Sequence, residues 1–165
     1  MSKATSPYLN DPNRLADVIS AIQVMSTYKF YKLPFDGWAD RISADPSRGE
    51  YWQRIFEQHP EFFRLDSQRQ KASLVWRRQY PKRYQIDDER VLTKEEYYAL
   101  NEQAKQRVSR IRLTPADIKA LIDTAISLHA RALEEQKERR WWIPLASAIG
   151  GLVGAVLGSL VTLLR

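Results

Sequence analysis

From Ile143 to Leu164 the chain carries twenty-two consecutive residues without a charge. As a helix rising about 1.5 Å per residue, such a run reaches about 33 Å, enough to cross a hydrocarbon core of about 30 Å. Pro144 falls in the first turn, where a missing N–H costs little. Trp141 and Trp142 suit the headgroup boundary, with Arg139 and Arg140 just outside it. The segment 141–165 therefore reads as a transmembrane helix in contact with lipid. The mean hydropathy of −0.50 averages this run with a much more polar remainder, which excludes a purely soluble reading.

Charge sets the orientation. Lys137, Arg139 and Arg140 precede the run and Arg165 alone follows it, so the positive-inside rule keeps the N-terminal part in the cytoplasm. Met1 to Asn10 has no apolar stretch of the signal-peptide kind and reads as a flexible N-terminus. A span at the end of the chain is inserted after synthesis. The expected architecture is a single-pass, tail-anchored protein, most simply of a bacterial inner membrane.

Inside the run, Ala146, Gly150, Gly154, Gly158 and Thr162 recur every four residues. Ser147, Gly151, Ala155 and Ser159 form a second ladder one position over. Small side chains on one stripe let helix backbones approach closely in lipid. Ala146, Gly150, Gly151, Gly154, Ala155 and Gly158 are thus the candidate self-association residues, and a homo-oligomer is expected.

Nothing in the sequence argues for catalysis. There is no cysteine, which also excludes a disulfide-stapled module. P-loop, Rossmann, zinc and EF-hand spacings are absent, so no catalytic, cofactor or metal residue is assigned and no cofactor is expected. His59 precedes Pro60 at a helix end and His129 lies within an amphipathic helix, where both read as structural. Asp87, Asp88 and Glu89 fall in a polar loop and read as a solvated turn.

Ahead of the run, Asp11-Pro12 starts a helix carrying Leu15, Val18, Ile19, Ile22 and Met25 at helical spacing. Tyr28 to Leu33 looks extended. A second helix begins near Pro34 and buries Phe35, Trp38, Ala39 and Ile42. Ser47-x-x-Glu50 has the form of a capping box for a third, with Tyr51, Trp52, Ile55 and Phe56 inward. Phe62 to Leu65 and Ala72 to Trp76, across the polar stretch Asp66–Lys71, read as a hairpin. This order of elements resembles a winged helix-turn-helix domain over residues 11–84, with no named family attached. The resemblance implies a recognition helix over Arg48–Gln58 and a wing tip at residues 66–71.

From Arg64 to Arg83 seven basic residues face Asp66 alone, a local balance of +6 that equals the net charge of the whole chain. The candidate contacts to a partner or to phosphate are Arg69, Lys71, Arg77, Arg78, Lys82 and Arg83. An unknown cytoplasmic protein, anionic lipid and nucleic acid all suit such a patch. Glu50 and Glu57, on the expected outer face of the third helix, disfavour base reading in a major groove.

Residues 85–92 read as a linker. Thr93-x-x-Glu96 is a capping box, followed by Tyr97, Leu100, Ala104, Val108 and Ile111 at helical spacing. Thr114-Pro115, with Asp117 in the first turn, starts the last helix. Residues 93–140 are therefore expected as two amphipathic helices, either an oligomeric stalk or a hairpin packed on the head. The fold class is α+β, mainly α. The function expected is a non-enzymatic, tail-anchored protein whose head binds a partner and whose span self-associates. The alternatives are a pore-forming effector of toxin or phage-defence type and a membrane-tethered nucleic-acid-binding regulator.

Overall fold

The computed structural model describes residues 6–140; the expected span, with Trp141, Trp142 and both ladders, lies outside the described residues. A 3-10 turn at Pro7–Leu9 leads into α1, Arg14–Thr27. The helix start expected at Asp11-Pro12 falls later, at Arg14. Asp11 instead shapes the turn ahead of α1, its carboxylate accepting the Asn13 N–H at 2.8 Å, and Asn13 stands at the N-cap without a side-chain cap bond. Then come β1 (Lys32–Pro34), α2 (Phe35–Ser43), a 3-10 turn at Pro46–Arg48, α3 (Gly49–Gln58), β2 (Phe63–Leu65) and β3 (Lys71–Leu74). The three strands form one antiparallel sheet in the order β1-β3-β2, with Lys32 and Arg64 both opposite Ser73.

The core sits where α1, α2 and α3 close over one face of this sheet. Val18, Ile22, Met25, Trp38, Trp52, Ile55, Phe56, Phe62, Phe63 and Leu74 are buried there. Burial of a ring nitrogen demands a partner, and each tryptophan has one. The Trp38 Nε1–H donates to the Ala72 carbonyl at 2.9 Å, and that of Trp52 to the Ser43 hydroxyl at 3.2 Å. Gly49 lets α3 start close against α2, since a Cβ there would stand 3.2 Å from the Asp36 nitrogen. The capping box expected at Ser47 does not form. Asp45 takes both the Ser47 N–H, at 3.0 Å, and its hydroxyl, at 2.6 Å, and the chain makes a 3-10 turn before α3.

The stretch 85–92, expected as a linker, instead holds most of a hairpin. β4 (Tyr84–Gln85) pairs with β5 (Arg90–Val91) across a tight turn, and β6 (Val108–Ser109) adds on the other side of β4. The helix expected through Ile111 breaks into α4 (Lys94–Ala99) and α5 (Glu102–Lys105). Leu100 is extended and Asn101 caps α5, its side chain accepting the Ala104 N–H. Asparagine favours that role over helix interiors. The box at Thr93 forms as expected, with Glu96 reaching back to the Thr93 N–H at 2.7 Å.

α6, Pro115–Arg140, starts at Thr114, whose hydroxyl accepts the Asp117 N–H at 3.2 Å. Leu121, Ala125 and Ala132 on one of its faces join the same core as α1, and Tyr8 packs there too. Over this length α6 lies against α1 and the 3-10 turn at Pro7–Leu9. Among the described residues no helix is long and apolar enough to cross a membrane.

Candidate partner-binding surface

A cleft of about 810 Å³ opens between the C-terminal end of α3, the β2–β3 hairpin and the chain entering β1. Tyr31, Pro60 and Leu65 line it, with the buried Phe56 and Phe63 behind them. Five cations line it, Lys32, Arg64, Arg69, Arg78 and Arg110, against the carboxylates of Glu57 and Asp66.

The hairpin turn is built around Asp66. Its carboxylate accepts the N–H of Gln70 at 2.9 Å and of Lys71 at 3.2 Å, and Lys32 Nζ stands 3.8 Å away. The Gln70 N–H above all, then that of Lys71 and the neighbouring lysines, hold the carboxyl below the usual carboxylate range against a smaller opposing effect of burial. At the tip Arg69 takes a left-handed backbone, φ 54°, and its guanidinium donates to Glu57 on α3 at 2.7 Å. Gln53 and Arg69 together hold the Glu57 carboxyl below its usual range. Across the cleft the Arg110 guanidinium donates to the carbonyls of Arg78, at 2.7 Å, and Tyr80, and lies 4.9 Å over the Tyr31 ring. Among the described residues no carboxylate meets the exposed side chains of Arg64 or Arg78.

Of the six basic residues singled out in the sequence, Arg69 and Arg78 come together on this cleft. Lys71 and Lys82 are exposed and Arg83 is half-buried, all three off its lining. Arg77 requires a correction: it is 0% exposed and cannot touch a partner. Its guanidinium donates to the carbonyls of Met25 at 2.9 Å, Tyr28 at 2.7 Å, Arg110 at 2.6 Å and Ile111 at 3.2 Å. Burial first, then the charges of Arg112 and Arg110, lower it to about 10, so it stays charged at neutral pH. Sequence reasoning missed Lys32 and Arg110 as neighbours of the hairpin. Arg110 is 32 residues from Arg78 and reaches it through the pairing of β6 with β4, for which the sequence carries no local signal.

A second cavity, about 460 Å³, lies between the 3-10 turn Pro7–Leu9, the end of α3 and α6. There the buried His59 shares a hydrogen bond with Glu61 through Nδ1 at 3.0 Å. Both histidines, distant in sequence, flank the ring of Tyr8, with centroids 4.5 Å and 6.0 Å away. Burial first, and then Glu61, push the Tyr8 phenol well above its usual value. Tyr8 and His59 thus join the N-terminal turn to α3 and α6.

Comparison with protein-family models, with curated proteins and with solved structures gives no match.

Proposed function

We propose that the chain is a non-enzymatic, membrane-anchored binding protein. Its winged-helix-like head, residues 11–84, engages a cytoplasmic partner through the basic cleft beside the hairpin. Residues 141–165 hold it in the membrane, and the ladder of Gly150, Gly154 and Gly158 assembles copies of it. The element order and the β1-β3-β2 sheet support the winged-helix comparison. The uncharged run after Arg140 supports the anchor.

The observation that carries the reading is the cleft itself, lined by five cations and only two carboxylates. Concave sites with an apolar wall and a few convergent polar groups are where ligands are held. Carbonate extraction of membranes from expressing cells tests the anchor: the full chain stays in the pellet and a chain ending at Arg140 moves to the supernatant. Release of the full chain contradicts the reading.

A further inference from the structure

β2 is an edge strand, paired with β3 alone. Two hydrogen bonds fix which of its backbone groups that pairing uses. The Asp66 N–H donates to the Lys71 carbonyl at 3.0 Å and the Val75 N–H to the Phe62 carbonyl at 2.8 Å. Antiparallel ladders alternate, so the Phe62 C=O, both backbone groups of Arg64 and the Asp66 N–H face β3, while Phe63 and Leu65 turn theirs away; the Phe62 N–H donates to the His59 carbonyl at 3.1 Å. The Phe63 N–H is taken by the His59 carbonyl at 3.0 Å. Phe63 is 1% exposed, so the N–H and C=O of Leu65, which is half-buried and lines the basic cleft, are the groups left on the open edge.

We propose that the cleft docks an extended acidic peptide segment of a partner protein, which pairs through its main chain with the open edge of β2. Its carboxylates meet Arg64 and Arg78. Main-chain pairing at a sheet edge, with neighbouring pockets for alternate side chains, is a recurring way of holding peptides. Charge selects the class of ligand. Lys32 and Arg69 already face Asp66 and Glu57, which leaves Arg64 and Arg78 for an acidic partner. A nucleic-acid strand needs aromatic faces open for stacking, whereas Phe56 and Phe63 are 0% and 1% exposed.

The inference rests on the reading of the head as the partner-binding part, and the experiment separates the two. The full chain in detergent micelles is titrated into a short fluorescein-labelled peptide alternating glutamate with leucine, and anisotropy is recorded. Saturable binding is expected. Arg64→Glu combined with Arg78→Glu weakens it about tenfold or more, since like charges are then juxtaposed, while Lys94→Glu on α4 leaves it unchanged. Methylating alternate amides of the peptide abolishes binding in one register and not in the other, a readout that needs no protein variant. Three results overturn the inference: no saturable binding, equal tolerance of methylation in both registers, or displacement of the peptide by less oligothymidylate than unlabelled peptide. Cross-linking of the same preparation reads assembly independently. A chain that assembles without binding peptide removes the docking inference and leaves the anchor reading standing.

Discussion

A guanidinium with no carboxylate partner and no exposure is expensive to bury, and Arg77 shows what makes it tolerable here. Met25 and Tyr28 end α1, where the carbonyls carry the negative end of the helix dipole, and Arg77 donates to both. Its other two bonds hold Arg110 and Ile111 just ahead of α6. The planar fork reaches all four carbonyls at once, which an ammonium cannot do. Arg77→Ala therefore costs about 3–5 kcal/mol and Arg77→Lys about 2–3 kcal/mol, measured by urea unfolding. A cost for Arg77→Ala below about 1 kcal/mol, typical of surface substitutions, contradicts this assignment.

Asp66 makes a prediction about pH. Its carboxyl is held below its ordinary value of 3.8 in the folded chain. Its contribution to stability is therefore complete above that value and is lost as pH falls through the lowered one. Asp66→Asn keeps an acceptor for the turn but does not titrate. The stability difference between the two proteins should be present near about pH 6 and shrink toward about pH 2. A difference constant over that range would place the role of Asp66 in shape rather than charge.

At the scale of elements, helix starts can be tested singly. Thr114→Ala removes the acceptor for the Asp117 N–H and should cost about 1 kcal/mol, with faster amide exchange confined to the first turn of α6. Unchanged exchange there contradicts the cap. Such local signals are what a sequence carries best. The caps at Thr93 and Thr114, the inward faces of α1 to α3 and the β2–β3 hairpin are all legible, because each depends on residues a few positions apart. Ser47 misleads because Asp45, two residues earlier, competes for the same hydrogen bonds and wins. The pattern from Tyr97 to Ile111 misleads because Val108 is buried by a strand rather than a helix, in a sheet whose partner, Gln85, lies 23 residues earlier. The cleft was half legible for the same reason. Arg69 and Arg78 sit in the basic run, whereas Lys32 and Arg110 arrive through strand pairing. Charge counting could not show that Arg77 faces inward, since burial is decided by the carbonyls around it.

On the scale of the molecule, α6 connects everything. One face lays Leu121, Ala125 and Ala132 on the head, while Ile126 and Leu133 stay 47% and 38% exposed on another. From Arg140 the chain continues into the run of residues 141–165. On the proposed reading, α6 therefore sets the distance and orientation of the cleft relative to the bilayer. Copies gathered by their spans would present their clefts together, so a partner carrying several acidic segments would gain from simultaneous engagement. Self-association is the step on which that consequence depends.

The most direct measurement counts copies in lipid. Full chain carrying one fluorophore on the head is reconstituted into vesicles at low protein density, and bleaching steps are counted for the original sequence and for Gly154→Leu. Several steps per spot are expected for the original sequence, falling toward one step for Gly154→Leu, because a leucine in the small-residue stripe keeps helix backbones apart. Single steps for both proteins, or the same multiple count for both, would contradict assembly through the ladder.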